Sequence, residues 1–147
     1  MRWLLLAALG LAAAGCPNNV PPQCITVDTT CQPGETPDFH DIYIDTIASS
    51  CGPTNSSCHS DSFHAGGMSF ATEASAYAAL LAPKSMIDPS RPRVDPGNPA
   101  CSLLVVRTDS PGASYQMPPP PGDPIMPGER CAIIQWILAG AGSGSSQ

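Results

Sequence analysis

The chain is poor in charge, and poorest in positive charge. Only 12% of its 147 residues are Asp, Glu, Lys or Arg, and six Lys+Arg stand against twelve Asp+Glu, a formal net charge of −6. Nucleic-acid binders gain affinity by neutralising phosphates with Lys and Arg, so no nucleic acid is expected as a partner. No apolar run reaches the roughly 20 residues that a membrane-spanning helix needs. No nucleophile is paired with a base and no loop has the glycine pattern that cradles phosphate, so no enzymatic activity is expected. What the chain has instead is 18 Pro and 13 Gly. Proline inside a helix removes a hydrogen bond, which excludes a bundle of long helices. Proline also interrupts every candidate strand, so little or no sheet is expected. Seven Cys in so short a chain point to an oxidising compartment. Roughly 90 residues are left to build a core, few enough that cross-links or a cofactor should help hold it.

The N-terminus reads as an export signal. Arg2 precedes an uncharged run from Trp3 to Ala14, the right length for a signal-peptide core. It ends in Ala13-Ala14-Gly15-Cys16, which resembles the lipobox of bacterial lipoproteins. That resemblance implies cleavage after residue 15 and lipidation of Cys16, with Ala13 standing where Leu is more usual. An acyl anchor holds a domain to a membrane without spanning it. The expected location is the cell envelope, facing the periplasm or the exterior.

The remainder divides by composition. Residues 16–37, rich in Pro, Thr and Gln, read as a tether. Residues 38–141 read as an all-α domain of short helices and long Pro/Gly-rich loops. A Gly/Ser stretch begins at Gly140, and residues 142–147 are expected to be disordered. Asp38 can cap a helix with Phe39, Ile42, Tyr43 and Ile47 on one face, ending near Ser49 or Ser50. Thr72 can cap a second, with Tyr77, Leu80 and Leu81 inward and Pro83 as its stop. Glu129 opens a third, with Ile133, Ile134, Trp136, Ile137 and Leu138 apolar and Gly140 closing it. Ala100 to Arg107 is a weaker fourth. Pro118 to Pro121 suits an extended polyproline conformation.

The densest polar constellation is Cys51-Gly-Pro-Thr-Asn-Ser-Ser-Cys58-His59. A Cys followed by His is what c-type haem attachment uses: the sulfur bonds a vinyl group and the imidazole ligates iron. Attachment usually takes two Cys separated by two residues; here six intervene. After it come Gly66-Gly67-Met68, then Ala76 to Leu81, then Asp95-Pro96-Gly97-Asn98-Pro99 and Ser102-Leu103-Leu104. Met117-Pro118-Pro119, Trp136-Ile137 and Ala139-Gly140-Ala141 complete the order. This succession, over roughly Phe39 to Ala141, resembles a family of small bacterial cytochrome c-like domains often found in lipoproteins. The resemblance implies a helical fold whose first and last helices cross, with haem c in a cleft between loops. It implies thioethers at Cys58 and Cys51, His59 as proximal ligand and Met117 as distal ligand of the haem iron. Met126-Pro127 is a competing match that comes late for a distal ligand. One-electron transfer with a redox partner protein would be the function, and the haem would carry the electron.

The same cysteines have other readings. Cys51 and Cys58 could form a disulfide, as could Cys24 and Cys31 at the same spacing. Cys101 and Cys131, if paired, would staple the C-terminal half. Cys16 aside, six Cys make three pairs, whereas haem attachment through two leaves four; parity does not choose. Without haem, the same fold would be a disulfide-stapled structural or interaction module. Zinc is a third option, through Cys51, Cys58, His59 and His64, but the spacing is not that of paired knuckles. His40 and His64 suit solvated positions, Met68 and Trp136 suit the core, and Asp41 with Asp45 a solvated helix face.

Overall fold

The computed structural model describes residues 20–52, 58–82 and 88–144, and no strand occurs among them. The expected signal peptide, Cys16, Pro83 and the last three residues lie outside these segments.

Asp38 opens the first helix, its Oδ1 accepting from the Asp41 amide at 3.0 Å. α1 (Phe39–Asp41) runs straight into a π-helical stretch, Ile42–Cys51. The position and length follow the apolar spacing; the wider winding does not show in it. The stretch closes with the Gly52 amide donating to the Ile47 carbonyl at 2.8 Å, a five-residue step. A Cβ at Gly52 would lie 2.7 Å from the Ala48 carbonyl oxygen, so the chain leaves the helix only through glycine.

α2 (Glu73–Leu81) has a reciprocal cap, in which Thr72 Oγ1 accepts from the Ser75 amide and Ser75 Oγ from the Thr72 amide, both at 3.1 Å. The weak fourth helix is split. A 3₁₀ turn (Pro99–Cys101) is followed by Ser102 in an extended conformation, then α3 (Leu103–Thr108). α4 (Pro127–Leu138) starts two residues before Glu129, with Pro127 in its first turn, where the missing N–H costs nothing. Glu129 serves as the cap partner, its carboxylate accepting from the Met126 amide at 2.8 Å.

Phe39, Ile42, Ile47, Ala76, Leu80, Val105, Ile133, Trp136 and Ile137 make the core. Phe39 anchors it, with ring centroids 4.9 Å from Tyr77, edge-on, and 5.2 Å from Trp136. α4 meets both the π-helical stretch and α3. Leu138, expected inward, is exposed.

Residues 20–37 are not a loose tether. They contain no helix, as their composition implies, but they lie strapped across the domain. Cys24 bonds Cys101 and Cys31 bonds Cys131, so neither the local Cys24–Cys31 pair nor a Cys101–Cys131 staple forms. The cause is the path of the strap, which follows the 3₁₀ turn and α4. The Ile25 amide donates to the Ala100 carbonyl and the Gly34 amide to the Gly128 carbonyl, each at 3.0 Å. At the second contact two glycines meet, and a Cβ on Gly128 would come within 2.9 Å of Gly34 Cα.

The C-terminal stretch also belongs to the fold at first. Gly140 takes φ +100°, Ala141 is buried, and the Trp136 indole donates to the Gly142 carbonyl at 2.7 Å. The Tyr77 hydroxyl donates to the Ala141 carbonyl at 3.1 Å. The run of prolines is a turn in place of an extended helix: the Met117–Pro118 and Pro120–Pro121 bonds are cis, and the Gly122 amide donates to the Pro119 carbonyl.

The two disulfides suit an oxidising, non-cytoplasmic compartment. Among the described residues no helix is long and apolar enough to cross a membrane.

Candidate functional site

A tight loop shapes the surroundings of His59. The Cys58 carbonyl accepts from the Ala65 amide at 2.6 Å, and the Ser60 carbonyl from the His64 amide at 3.0 Å. His64, Gly66 and Gly67 all take positive φ, and two glycines at such positions let the loop reverse without strain. The loop closes where the Phe70 amide donates to the His59 carbonyl at 2.8 Å. The His59 ring is thereby buried at 9% exposure, its centroid 4.6 Å from that of Phe70 and tilted by 32°.

Burial pulls the His59 pKa below its ordinary value, and the nearby charges of Arg107 and Arg93 lower it further. The backbone of Ala65 and Met68 acts in the opposite sense. The imidazole is therefore neutral at neutral pH, the form in which histidine binds metal. Its Nδ1 is buried with no hydrogen-bond partner. An orphan of this kind costs about 1–3 kcal/mol, and such costs gather at functional sites.

Cys51 sits at the end of the π-helical stretch, packed against the core. Burial pushes its thiol pKa up to about 12, with the Glu129 carboxylate adding to the effect. Neither Cys51 nor Cys58 belongs to a disulfide, so the expected Cys51–Cys58 alternative does not form here; the Cys51 side chain packs against the core instead. A thiol so hard to ionise is a poor zinc ligand, and no group of three His, Cys, Asp or Glu converges among the described residues. His64 is exposed.

Met117 is half-buried on the loop after α3, its amide donating to the Arg107 carbonyl at 3.0 Å. Gln116, buried beside it, holds the loop at both ends. Its Oε1 accepts from the Gly112 amide at 2.6 Å and its Nε2 donates to the Pro118 carbonyl at 2.9 Å. Arg107 is thus common to both candidate ligands, holding the Met117 backbone and acting on the His59 ring by its charge. Met126 is exposed in front of α4, and Met68 packs against the core. The Asp95-Pro-Gly-Asn-Pro segment is a turn that grips α4: the Gly97 amide donates to the Ile137 carbonyl at 2.7 Å. Cys24, Cys31, Cys101 and Cys131 are all consumed in the two disulfides.

Haem c needs a cysteine sulfur, a neutral imidazole and a second axial donor. Cys58, His59 and Met117 have the right chemistry, and the unpartnered ring nitrogen of a neutral, buried His59 fits a ligand role. Cys51 fits less readily, since its side chain packs against the core. Sequence reasoning missed Gln116 and three arginines, Arg91, Arg93 and Arg107. The legible signal was Arg91-Pro92-Arg93, two positive charges side by side in a chain that has so few.

The chain matches no protein-family model, no curated protein and no solved structure.

Proposed function

We propose that the protein is a small electron carrier of the cytochrome c type, exported and held to the cell envelope by a lipid on Cys16. The observation that carries the reading is His59, a buried, neutral imidazole with an unpartnered ring nitrogen directly after Cys58. The pairing of Cys24, Cys31, Cys101 and Cys131 supports it, because those disulfides leave the two cysteines of the attachment motif out of the cross-links. Bound haem would supply one-electron chemistry, at a potential raised by a thioether ligand relative to a second histidine. The chain's own part is to present the sulfur of Cys58, to keep His59 neutral and turned in by Phe70, and to hold Met117 through Gln116 and Arg107. If His59 and Met117 both held the iron, no position on it would be left open for a substrate. The net negative charge favours a positively charged redox partner.

A second reading rests on the disulfides. They tie the strap to the 3₁₀ turn and to α4, cross-links of the kind a small core can use in place of a cofactor. The protein would then be a haem-free interaction module.

The deciding experiment is the intact mass and visible spectrum of the chain, made in a host with cytochrome c maturation and kept non-reduced. A gain of one haem, with a Soret band that His59→Ala disturbs, is expected. A mass fully accounted for by the processed polypeptide, its disulfides and any lipid, with no haem, would overturn the carrier reading in favour of the module.

A further inference from the structure

The described residues contain four Lys+Arg cations, all arginines, and three of them, Arg91, Arg93 and Arg107, lie in α3 or in the segment hydrogen-bonded to its start. The Arg91–Val94 segment lies along the start of that helix, with the Leu103 amide donating to the Pro92 carbonyl and the Leu104 amide to the Arg93 carbonyl. Arg107 follows Leu104 one turn later. Arg91 and Arg93 are buried, at 3% and 5% exposure, and Arg107 is half-buried.

Their partners are mostly neutral. Arg93 donates to the Ala79 and Gly66 carbonyls, both at 2.8 Å, the second lying in the His59 loop. Arg91 donates to the Pro21 and Gln23 carbonyls of the strap. Arg107 donates to the Tyr115 carbonyl at 3.1 Å. Arg130, by contrast, has Asp109 at 2.8 Å, while the nearest carboxylate oxygen to Arg91, on Asp88, is 4.0 Å away. Among the described residues Arg93 and Arg107 have no carboxylate at all. The Nε atoms of Arg91 and Arg93 are buried and make no hydrogen bond, the Asp88 carboxylate lying 4.0 Å from the first.

An acidic chain that places three of its six Lys+Arg here, and among the described residues sets no carboxylate against two of them, leaves a charge deficit that a ligand can fill. Burial lowers the pKa of Arg93 and of Arg107, and Arg91 acts on Arg107 in the same direction. Even so, arginine stays charged in proteins, so the deficit persists at any working pH. We infer that Arg107 and Arg93, beside His59, form a binding site for an oxyanion of the carboxylate or phosphate type. Planar guanidinium donors suit that chemistry better than a point charge would. Two sources would satisfy it: a free anion, or the carboxylates that a bound haem would carry. The site is argued from the arginines alone and does not require that haem be present.

The test uses the full chain with its disulfides formed. Haem-free protein is titrated with inorganic phosphate and with succinate at fixed ionic strength, following the arginine Nε–H signals by NMR. Saturable shifts at Arg107 and Arg93, with Arg130 still, identify a free anion. Arg107→Gln should weaken that binding about tenfold or more, since a charge-assisted hydrogen bond is lost, and Arg107→Lys should weaken it less. If neither anion shifts the signals, the haem-loaded chain is compared with the haem-free one. Slowed solvent exchange of the Arg107 Nε–H on loading identifies haem carboxylates as the source. Signals indifferent to both anions and unchanged by loading would overturn the site. So would equal responses at Arg130, which mean screening by salt. A chain that takes no haem yet binds phosphate would defeat the carrier reading and leave this site standing.

Discussion

His40 and Glu73 tie the first helix to α2, with Nδ1 and Oε2 3.0 Å apart. The hydrogen bond to Glu73, and then its charge, raise the His40 pKa above the ordinary 6.5. A histidine whose pKa is raised on folding stabilises the fold fully below its unfolded value, and the gain disappears as pH rises through the folded one. His59, whose pKa burial lowers, acts in the opposite sense on the total, so the link is read as a difference: the parent should melt slightly above Glu73→Gln near pH 6, and the gap should close as pH climbs to about 8. Parallel slopes in the two proteins would refute the link. Glu35 has a different origin for the same sign. Partial burial raises its pKa above 4.5, against the hydrogen bond it accepts from Thr46 Oγ1 at 2.9 Å, and Asp45, Glu129 and Asp41 add repulsion. Its ionisation is therefore disfavoured in the fold, and stability is lost as pH rises through the folded pKa. Glu35→Gln keeps an acceptor for Thr46 and should melt higher than the parent at pH 7, the two converging near pH 4. A lower melting point at pH 7 would mean that the charge itself is needed. At this scale the sequence singles out candidate residues but not their surroundings. Cys58, His59 and Met117 stand out by identity and order. The burial of His59 depends on Phe70, eleven positions on, and the carbonyls that hold Arg93 come from α2 and the His59 loop.

The helices were the most legible elements, because the first helix and α2 carry their own start signals and α4 a wide apolar face. Asp38 and Thr72 cap where their side chains indicate. The departures come from geometry that spacing does not encode. The π-helical winding of Ile42–Cys51 keeps Phe39, Ile42 and Ile47 inward much as an α-helix would, so periodicity could not separate the two. The strap was least legible. Its composition predicts irregular backbone correctly, but whether irregular backbone floats or adheres depends on an arginine, carbonyls and cysteines found about 70 to 100 residues later. Chain entropy values the cross-links at about 4.5 kcal/mol for the 77-residue separation and about 4.7 kcal/mol for the 100-residue one, each taken alone. The two loops overlap, so removing one disulfide with the other intact should cost less, about 2–4 kcal/mol. Cys31→Ser with Cys131→Ser should thus lower the denaturation midpoint clearly without abolishing folding. A midpoint equal to the parent's would show that the strap is held by its hydrogen bonds alone.

At the scale of the whole molecule, the cross-linked frame and the Cys51–His59 part of the candidate site occupy different stretches of chain, and the glutamates happen to divide them. There are three, Glu35, Glu73 and Glu129. Cleavage after each, in denaturant and without reductant, cuts the strap from the rest and isolates residues 36–73. The pairing of Cys24 with Cys101 and Cys31 with Cys131 predicts one covalent assembly of three pieces: the strap peptide, residues 74–129 and residues 130–147. Local pairing would release the strap peptide alone and leave the other two joined through Cys101 and Cys131. The remaining piece, 36–73, contains Cys51, Cys58 and His59 and no cysteine of the frame. It should separate without reductant, because no bond ties it to the frame. Its mass then reads the site directly. The bare peptide mass means two thiols, a loss of two hydrogens means a Cys51–Cys58 disulfide, and a gain of one haem means attachment. Retention of 36–73 in the large assembly would show that the cysteines had exchanged partners, and both the frame and the site would have to be redrawn.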